Sequence, residues 1–279
     1  MNEVETAPVA PRHPEYIEAL ARGLEIIKCF GTTHRELTLS EVAVLGGLSR
    51  GTTRRILITL VELGYVRASG NSFTLSPRIL ELGMSYVASS GLWNLARPHL
   101  AALVDDVAES CSIAVLDAPD IVYVARVAVP KLVTLAVDIG TRFPAAQTSL
   151  GTVLLASLDA EELSRVLDQP SRSHVRPAWN PRREDLDLEL STVRAQGWAL
   201  TDQQLAPAIR SVAAPIRNGA GEVIAAVNVN SHAAETPLDV VLEQHLPRVL
   251  RTASDISRDV AAWDARPFEM RPSATSRMG

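Results

Sequence analysis

Apolar and polar positions change their period along this chain, and each change marks an element. From Glu15 to Phe30, Ile17, Leu20, Leu24, Ile27 and Phe30 recur at helical spacing, predicting a first helix that Gly31-Thr32-Thr33 ends. Thr38 and Glu41 stand in the T-x-x-E spacing of a capping box, so a short helix is expected to start there and run to Leu45. Gly46-Gly47 supplies the positive φ needed to stop it and turn. Ser49 can cap a second helix, in which Thr53, Ile56, Leu57, Leu60 and Leu63 form one buried stripe. Gly64–Arg67 and Ser72–Leu75 then alternate like strands around Ala68-Ser69-Gly70-Asn71, a hairpin turn.

Ser76-Pro77 opens another helix, with Ile79, Leu80, Leu82, Gly83, Tyr86 and Val87 crowded on one side and Ser89-Ser90-Gly91 as its break. Leu92–Glu109 follows as a helix with Leu95, Leu100, Leu103, Val104 and Val107 inward. From Cys111 the period becomes two. Ser112–Asp117, Ile121–Val127 and Leu132–Val137 are predicted strands, and Asp138–Pro144 a loop. Thr148-Ser149-Leu150-Gly151 leads into a helix over Thr152–Ser157, and Asp159–Leu167 and Glu184–Gln196 are helical around a proline-bearing loop. Gly197–Thr201, Ser211–Ile216 and Val223–Asn230 are strands, and a closing helix runs from Thr236-Pro237 to about Trp263. These elements predict antiparallel strands flanked by helices.

Helix, glycine turn, basic helix and hairpin, in that order, are the parts of a winged helix-turn-helix. Ser49, Arg50, Gly51 and Thr52 open the second helix, Arg54 and Arg55 continue it, and Arg67 lies on the hairpin. Arginine can bridge guanine O6 and N7 or hold phosphate, and Ser or Thr can contact either, so these seven are the candidate DNA-binding residues. A helical hairpin with a solvated basic face is the plainer alternative. Gly47-Leu48-Ser49-Arg50-Gly51 also matches G-x-S-x-G, the nucleophile elbow of an α/β-hydrolase using Ser49. That elbow needs a buried strand before it, whereas the residues before Gly47 read as a polar tail and a helix. An architectural DNA-binding protein with an inert second domain is a third alternative.

Composition adds limits. The 279 residues suffice for two domains, with 47% hydrophobic but only 4% aromatic residues, so the cores must be aliphatic. The formal charge is −5, yet between Ser49 and Arg67 four arginines against Glu62 leave a local +3. A local patch suffices, because affinity follows the phosphates contacted. Cys29 and Cys111 lack redox or metal spacing and are expected as buried reduced thiols, and His99, His174, His232 and His245 lack ligand spacing. No phosphate loop, dinucleotide fingerprint or metalloprotease motif occurs, so neither catalysis nor a cofactor is expected. No apolar run approaches about 18 residues, and a cytoplasmic protein without membrane contact is expected.

Thr148-Ser149-Leu150-Gly151 at a helix start offers backbone N–H groups and a favourable dipole to a carboxylate. Ser211, Asn228 and Asn230 are polar groups on otherwise apolar strands, and the two asparagines share a face. Buried amides need a partner, which is a small ligand, a neighbouring loop or water.

The run Tyr16–Ile27, the helix-turn-helix, Thr148–Gly151 and the segment Asp202–Ile216 together resemble the isocitrate lyase regulator (IclR) family of bacterial transcription factors, over roughly residues 15–263. Val227–Ala233 and the opening run resemble the branch governing protocatechuate, 4-hydroxybenzoate and β-ketoadipate breakdown. The resemblance implies an α+β protein in which an N-terminal winged helix-turn-helix is joined by a linker helix to a GAF-like α/β effector-binding domain with a mostly antiparallel sheet. The corresponding boundaries are a flexible arm at 1–14, the DNA-binding domain at 15–76, the linker at 77–91, the effector domain at 92–264 and a disordered tail at 265–279. It implies operator DNA, a small carboxylic acid, a homodimer or tetramer and, as a further partner, RNA polymerase. By position, the family's effector pocket falls on Ser149, Leu150, Asp202, Ser211, Asn228 and Asn230. Two departures stand out: Thr152 follows the pocket glycine where the family usually has Lys, and the wing turn Ser69-Gly70-Asn71 lacks the basic residue common there.

Overall fold

A computed structural model describes residues 13–31, 34–90, 92–130, 137–175, 177 and 179–265. Most of the expected arm and tail, and all but the last residue of the strand expected over Leu132–Val137, lie outside the described residues. The chain divides between Tyr86 and Val87 into two compact units.

In the first unit, α1 spans Glu18–Lys28. Of its expected stripe only Ile27 and Phe30 turn inward, joined by Ile26, which is fully buried. Ile17, Leu20 and Leu24 are 65, 61 and 47% exposed, a correction to the predicted inner face. A three-residue strand β1 (Glu36–Thr38) runs into α2 (Leu39–Leu45), whose capping box forms as expected, with Thr38 N donating to Glu41 Oε2 and Glu41 N to Thr38 Oγ1. The strand was not foreseen, since three residues are too few to display a period. Gly47 turns the chain at φ +61°. Helix α3 (Arg50–Glu62) buries Thr53, Leu57 and Leu60, while Leu63, beyond its last turn, is exposed. Strands β2 (Val66–Ser69) and β3 (Ser72–Leu75) form the hairpin about a two-residue Gly70-Asn71 turn, tighter than the four residues expected. Gly70 at φ +56° gives the turn its hand, and β1 pairs with the other edge of β3. Ser76 caps a short 3₁₀ turn at Pro77–Ile79 that continues as α4 (Leu80–Ser90).

Among the described residues, the second unit is a six-stranded antiparallel sheet with helices on both faces. Helix α5 covers Leu92–Val107, and β4 (Ser110–Asp117) and β5 (Asp120–Val127) follow. Strand β6 (Arg142–Pro144) extends the sheet where a loop was expected, because Arg142–Pro144 pair with Asp120–Val122. Helices α6 (Ser149–Ala156), α7 (Ala160–Leu167) and α8 (Arg183–Gln196) precede β7 (Ala199–Asp202), β8 (Ile209–Arg217) and β9 (Val223–His232). One α turn at Leu238–Val240 and a π turn at Val241–His245 lead into α9 (Leu246–Asp264). The strand order is β6-β5-β4-β9-β8-β7.

Alternation along the central strands divides the core. Val212, Ala214 and Ile216 of β8 and Ala225, Val227 and Val229 of β9 face α5 and α9, against Leu100, Leu103, Val249 and Ile256. Ala213, Ala226 and Tyr123 face the other way, against Leu150, Leu155 and Leu190 of α6 and α8. Asn228 and Asn230 are in step with Ala226, so the period of two places both amides on the α6 side.

Candidate functional sites

Ser49 accepts from Thr52 N and so starts α3, while Thr53 Oγ1 returns a hydrogen bond to the Ser49 carbonyl. Burial of Thr53, Leu57 and Leu60 fixes the helix roll, and Arg50, Arg54 and Arg55 consequently face solvent. Among the described residues none of the three has an ion-pair partner, nor does Arg67 on the exposed face of β2. Gly51 has open space around it in the first turn of α3, beside these cations. Ser49 follows the Gly46–Leu48 turn, and no strand leads into it. Its hydroxyl serves as a helix cap, so the surroundings of a nucleophile elbow are absent there.

In the second unit the α6 N-terminus meets the sheet. The helix begins at Ser149, three residues earlier than expected, because Thr148 caps it by accepting from Gly151 N at 3.0 Å. The N–H groups of Ser149 and Leu150 occupy the first turn, where no intrahelical acceptor exists. Ser149 Oγ lies 2.7 Å from Ser211 Oγ, and Asn228 Nδ2 donates to Ser211 Oγ and to Asn230 Oδ1 at 2.9 and 3.1 Å. These four predicted residues therefore converge. The Leu150 side chain instead enters the core beneath the sheet. Asp202 sits on the strand edge, and Arg210 donates to both its oxygens at 3.0 and 2.9 Å. That guanidinium holds the Asp202 carboxyl below the usual carboxylate range.

Tyr123, Gln147, Thr148, Thr201, Leu205 and Ile209 complete the wall of a cavity of about 20 Å³. Burial pushes the Tyr123 phenol up, against the opposing pull of the Arg126 charge and a hydrogen bond with Asn230. Two buried acceptors in this wall, Asn228 Oδ1 and Gln147 Oε1, receive no hydrogen bond. The volume holds about one water, so an aromatic acid requires the wall to open. Tyr123, Thr201 and Ile209 escaped the sequence reading because cross-strand register, which chain order does not encode, brings them here. Gln147 was signalled only by its place beside Thr148-Ser149.

Among the described residues no cluster of His, Cys, Asp or Glu is arranged for a metal, and no helix is long and apolar enough to cross a membrane. Cys111 is buried, and burial raises its thiol pKa, whereas Cys29 is half-buried; both are free thiols.

A winged helix-turn-helix with bare cations, followed by an α/β unit with a buried polar pocket, defines a transcriptional regulator. Residues 19–70 match the IclR helix-turn-helix domain and residues 84–258 the bacterial transcriptional regulator IclR C-terminal domain. The chain belongs to the IclR family. It is 36% identical over 247 residues, 87% of this chain and 84% of the relative, to the Pca regulon regulatory protein of Pseudomonas putida. A protein of known structure from Rhodococcus sp. RHA1, 44% identical, superposes with a TM-score of 0.78 over 88% of this chain and 99% of that one. An IclR homolog from Microbacterium hydrocarbonoxydans, solved with 4-hydroxybenzoate, gives a TM-score of 0.75 over 88% of this chain and 99% of that one, at 24% identity.

Proposed function

We propose that this regulator is a cytoplasmic, sequence-specific operator-binding protein whose affinity for DNA is set by a small carboxylic acid, an aromatic acid or a β-ketoadipate-pathway intermediate. Residues 15–76 bind the duplex, 77–91 link, and 92–264 bind the effector. Ser49, Arg50, Gly51, Thr52, Arg54, Arg55 and Arg67 meet the groove or its phosphates. Ser149, Ser211, Asn228 and Asn230 receive the effector, with the Leu150 N–H beside them and Asp202 at the strand edge. The observation that carries the effector reading is the pair of buried, unsatisfied acceptors in a wall whose serines and asparagines otherwise bond one another, since such groups are costly unless something donates to them. The 4-hydroxybenzoate bound by the Microbacterium homolog supports an aromatic acid.

A dimer is the working assembly, and two dimers can pair. Ile17, just before α1, and Leu20 and Leu24 on it expose an apolar stripe, and Leu80, Leu82 and Met84 expose further apolar surface on α4. Monomers rarely leave such surface uncovered. The effector acts only through different affinities for two arrangements of the subunits, transmitted by α4. RNA polymerase is the partner through which such binding reaches transcription. Asn228→Ala tests the reading. Calorimetry with 4-hydroxybenzoate, 3,4-dihydroxybenzoate and 3-oxoadipate is expected to show weakened binding while effector-free DNA binding survives. Unchanged affinity for the acid that binds would remove Asn228 from the site.

A further inference from the structure

The polar face around Asn228 extends well past the small cavity. Register places Ser112 of β4 opposite Asn228 of β9 on one side and opposite Arg126 of β5 on the other. Cross-strand partners share a face, so Arg126, Ser112 and Asn228 form one row on the α6 side of the sheet, each about 5 Å from the next strand. Ser110, Asn230, Ser211 and Thr201 form the adjacent row. Arg126 Nη1 donates to Ser112 Oγ at 3.1 Å, and Ser112 is fully buried. Among the described residues that serine is the one hydrogen-bond partner of the Arg126 side chain, and no carboxylate pairs with it.

This arginine differs from the two nearer the sheet's ends. Arg142 on β6 pairs with Asp117 and Asp120, and Arg210 on β8 with Asp202. Among the described residues, half-buried Arg126 gives one of its five N–H donors to Ser112, and none of the others is buried without a partner, so they stand open to solvent and to an anion. The Arg126 charge is felt at Tyr123, which lines the cavity. Two acceptors that lack donors belong to residues lining the cavity: Asn228 Oδ1 in this row and Gln147 Oε1 on the turn before α6. The inventory is thus one unneutralised cation and two unanswered acceptors.

We infer that Arg126 is the counter-ion for the effector's carboxylate and that Asn228 Oδ1 and Gln147 Oε1 accept from hydroxyl groups elsewhere on it, so the ligand class is a hydroxylated carboxylic acid. This rests on the effector reading above and deepens it. The α6 N-terminus offers the acid only the partial charge of a helix end, whereas Arg126 offers a full charge and a planar fork matched to a carboxylate. Hydroxyl donors satisfy the acceptors, which no carboxylate oxygen can do.

The test titrates the full chain calorimetrically with 4-hydroxybenzoate, 3,4-dihydroxybenzoate, 3-oxoadipate and methyl 4-hydroxybenzoate, in wild type, Arg126→Gln and Arg126→Lys. Wild type is expected to prefer 4-hydroxybenzoate to its neutral ester by about tenfold to a hundredfold, the range of a charge-assisted hydrogen-bonded contact. Arg126→Gln abolishes that ratio while leaving the ester's affinity in place, and Arg126→Lys retains part of it. An acid-to-ester ratio in Arg126→Gln equal to wild type overturns the assignment and leaves the effector reading standing. Wild type binding none of the acids overturns both.

Discussion

Gly151→Ala should damage the second unit more than the same change at its other described glycines. Gly151 is the third residue of α6 and packs against the turn that precedes the helix. A Cβ built there would lie 2.0 Å from the Ala145 carbonyl oxygen and 2.4 Å from its Cα, where ordinary contacts begin at 3.4 Å. The opposing atoms are backbone, so no side chain can swing away. That carbonyl is also fixed from below, since Thr148 N and Thr148 Oγ1 both donate to it. Overpacking a tight site costs about 1–3 kcal/mol and more where nothing can yield. Retreat of the helix from Thr148 would cost about 1 kcal/mol more in lost capping. A total of roughly 2–4 kcal/mol corresponds to a fall in Tm of about 4–16 °C for a unit of this size. The same retreat pulls Ser149 away from Ser211, so effector binding should weaken in parallel. Differential scanning calorimetry with and without 4-hydroxybenzoate measures both. A variant melting within about 2 °C of wild type, with its ligand response intact, would refute the account of how α6 is seated.

Two further outcomes are expected. Leu57→Ala removes a fully buried side chain from the small core of the first unit and should cost about 2–5 kcal/mol, read by urea denaturation; a loss under about 1 kcal/mol would mean that α3 is not anchored by this stripe. The Asp202 carboxyl, held down by Arg210, titrates lower folded than unfolded, so its contribution is present at neutral pH and disappears as pH falls through the depressed value. Asp202→Asn should therefore be less stable than wild type at pH 7, with the gap closing in strong acid; a gap that widens on acidification would contradict the pairing.

Much of the first unit could be read directly from the chain because its signals are local. The Thr38–Glu41 box, the Gly47 turn and the Ser49 cap are each set within four residues, and each formed as expected. The α1 stripe illustrates the limit of periodicity. It located a helix correctly but could not distinguish a face turned to the core from one left uncovered, so Ile26 was missed and Leu20 misassigned. In the second unit, alternation correctly put Asn228 and Asn230 on one face, and local motifs put Ser149 at a helix start. What completes the site was hidden because it depends on register. Arg126 lies 102 positions before Asn228 in the chain, yet it is two strands away in the sheet. The short strands β1 and β6 exist only through the partners they find, which three residues cannot announce by themselves.

Helix α3 displays Arg50, Arg54 and Arg55 to solvent, and in the proposed function they insert into a duplex groove. Selection of bound duplexes from a random-sequence pool tests it with no operator specified in advance. Wild type should enrich a two-fold symmetric sequence with half-sites about one or more helical turns apart, as a dimer of recognition helices requires, and the Arg50→Ala, Arg54→Ala, Arg55→Ala triple variant should enrich none. Enrichment of the same sequence by wild type and the triple variant alike would contradict the account.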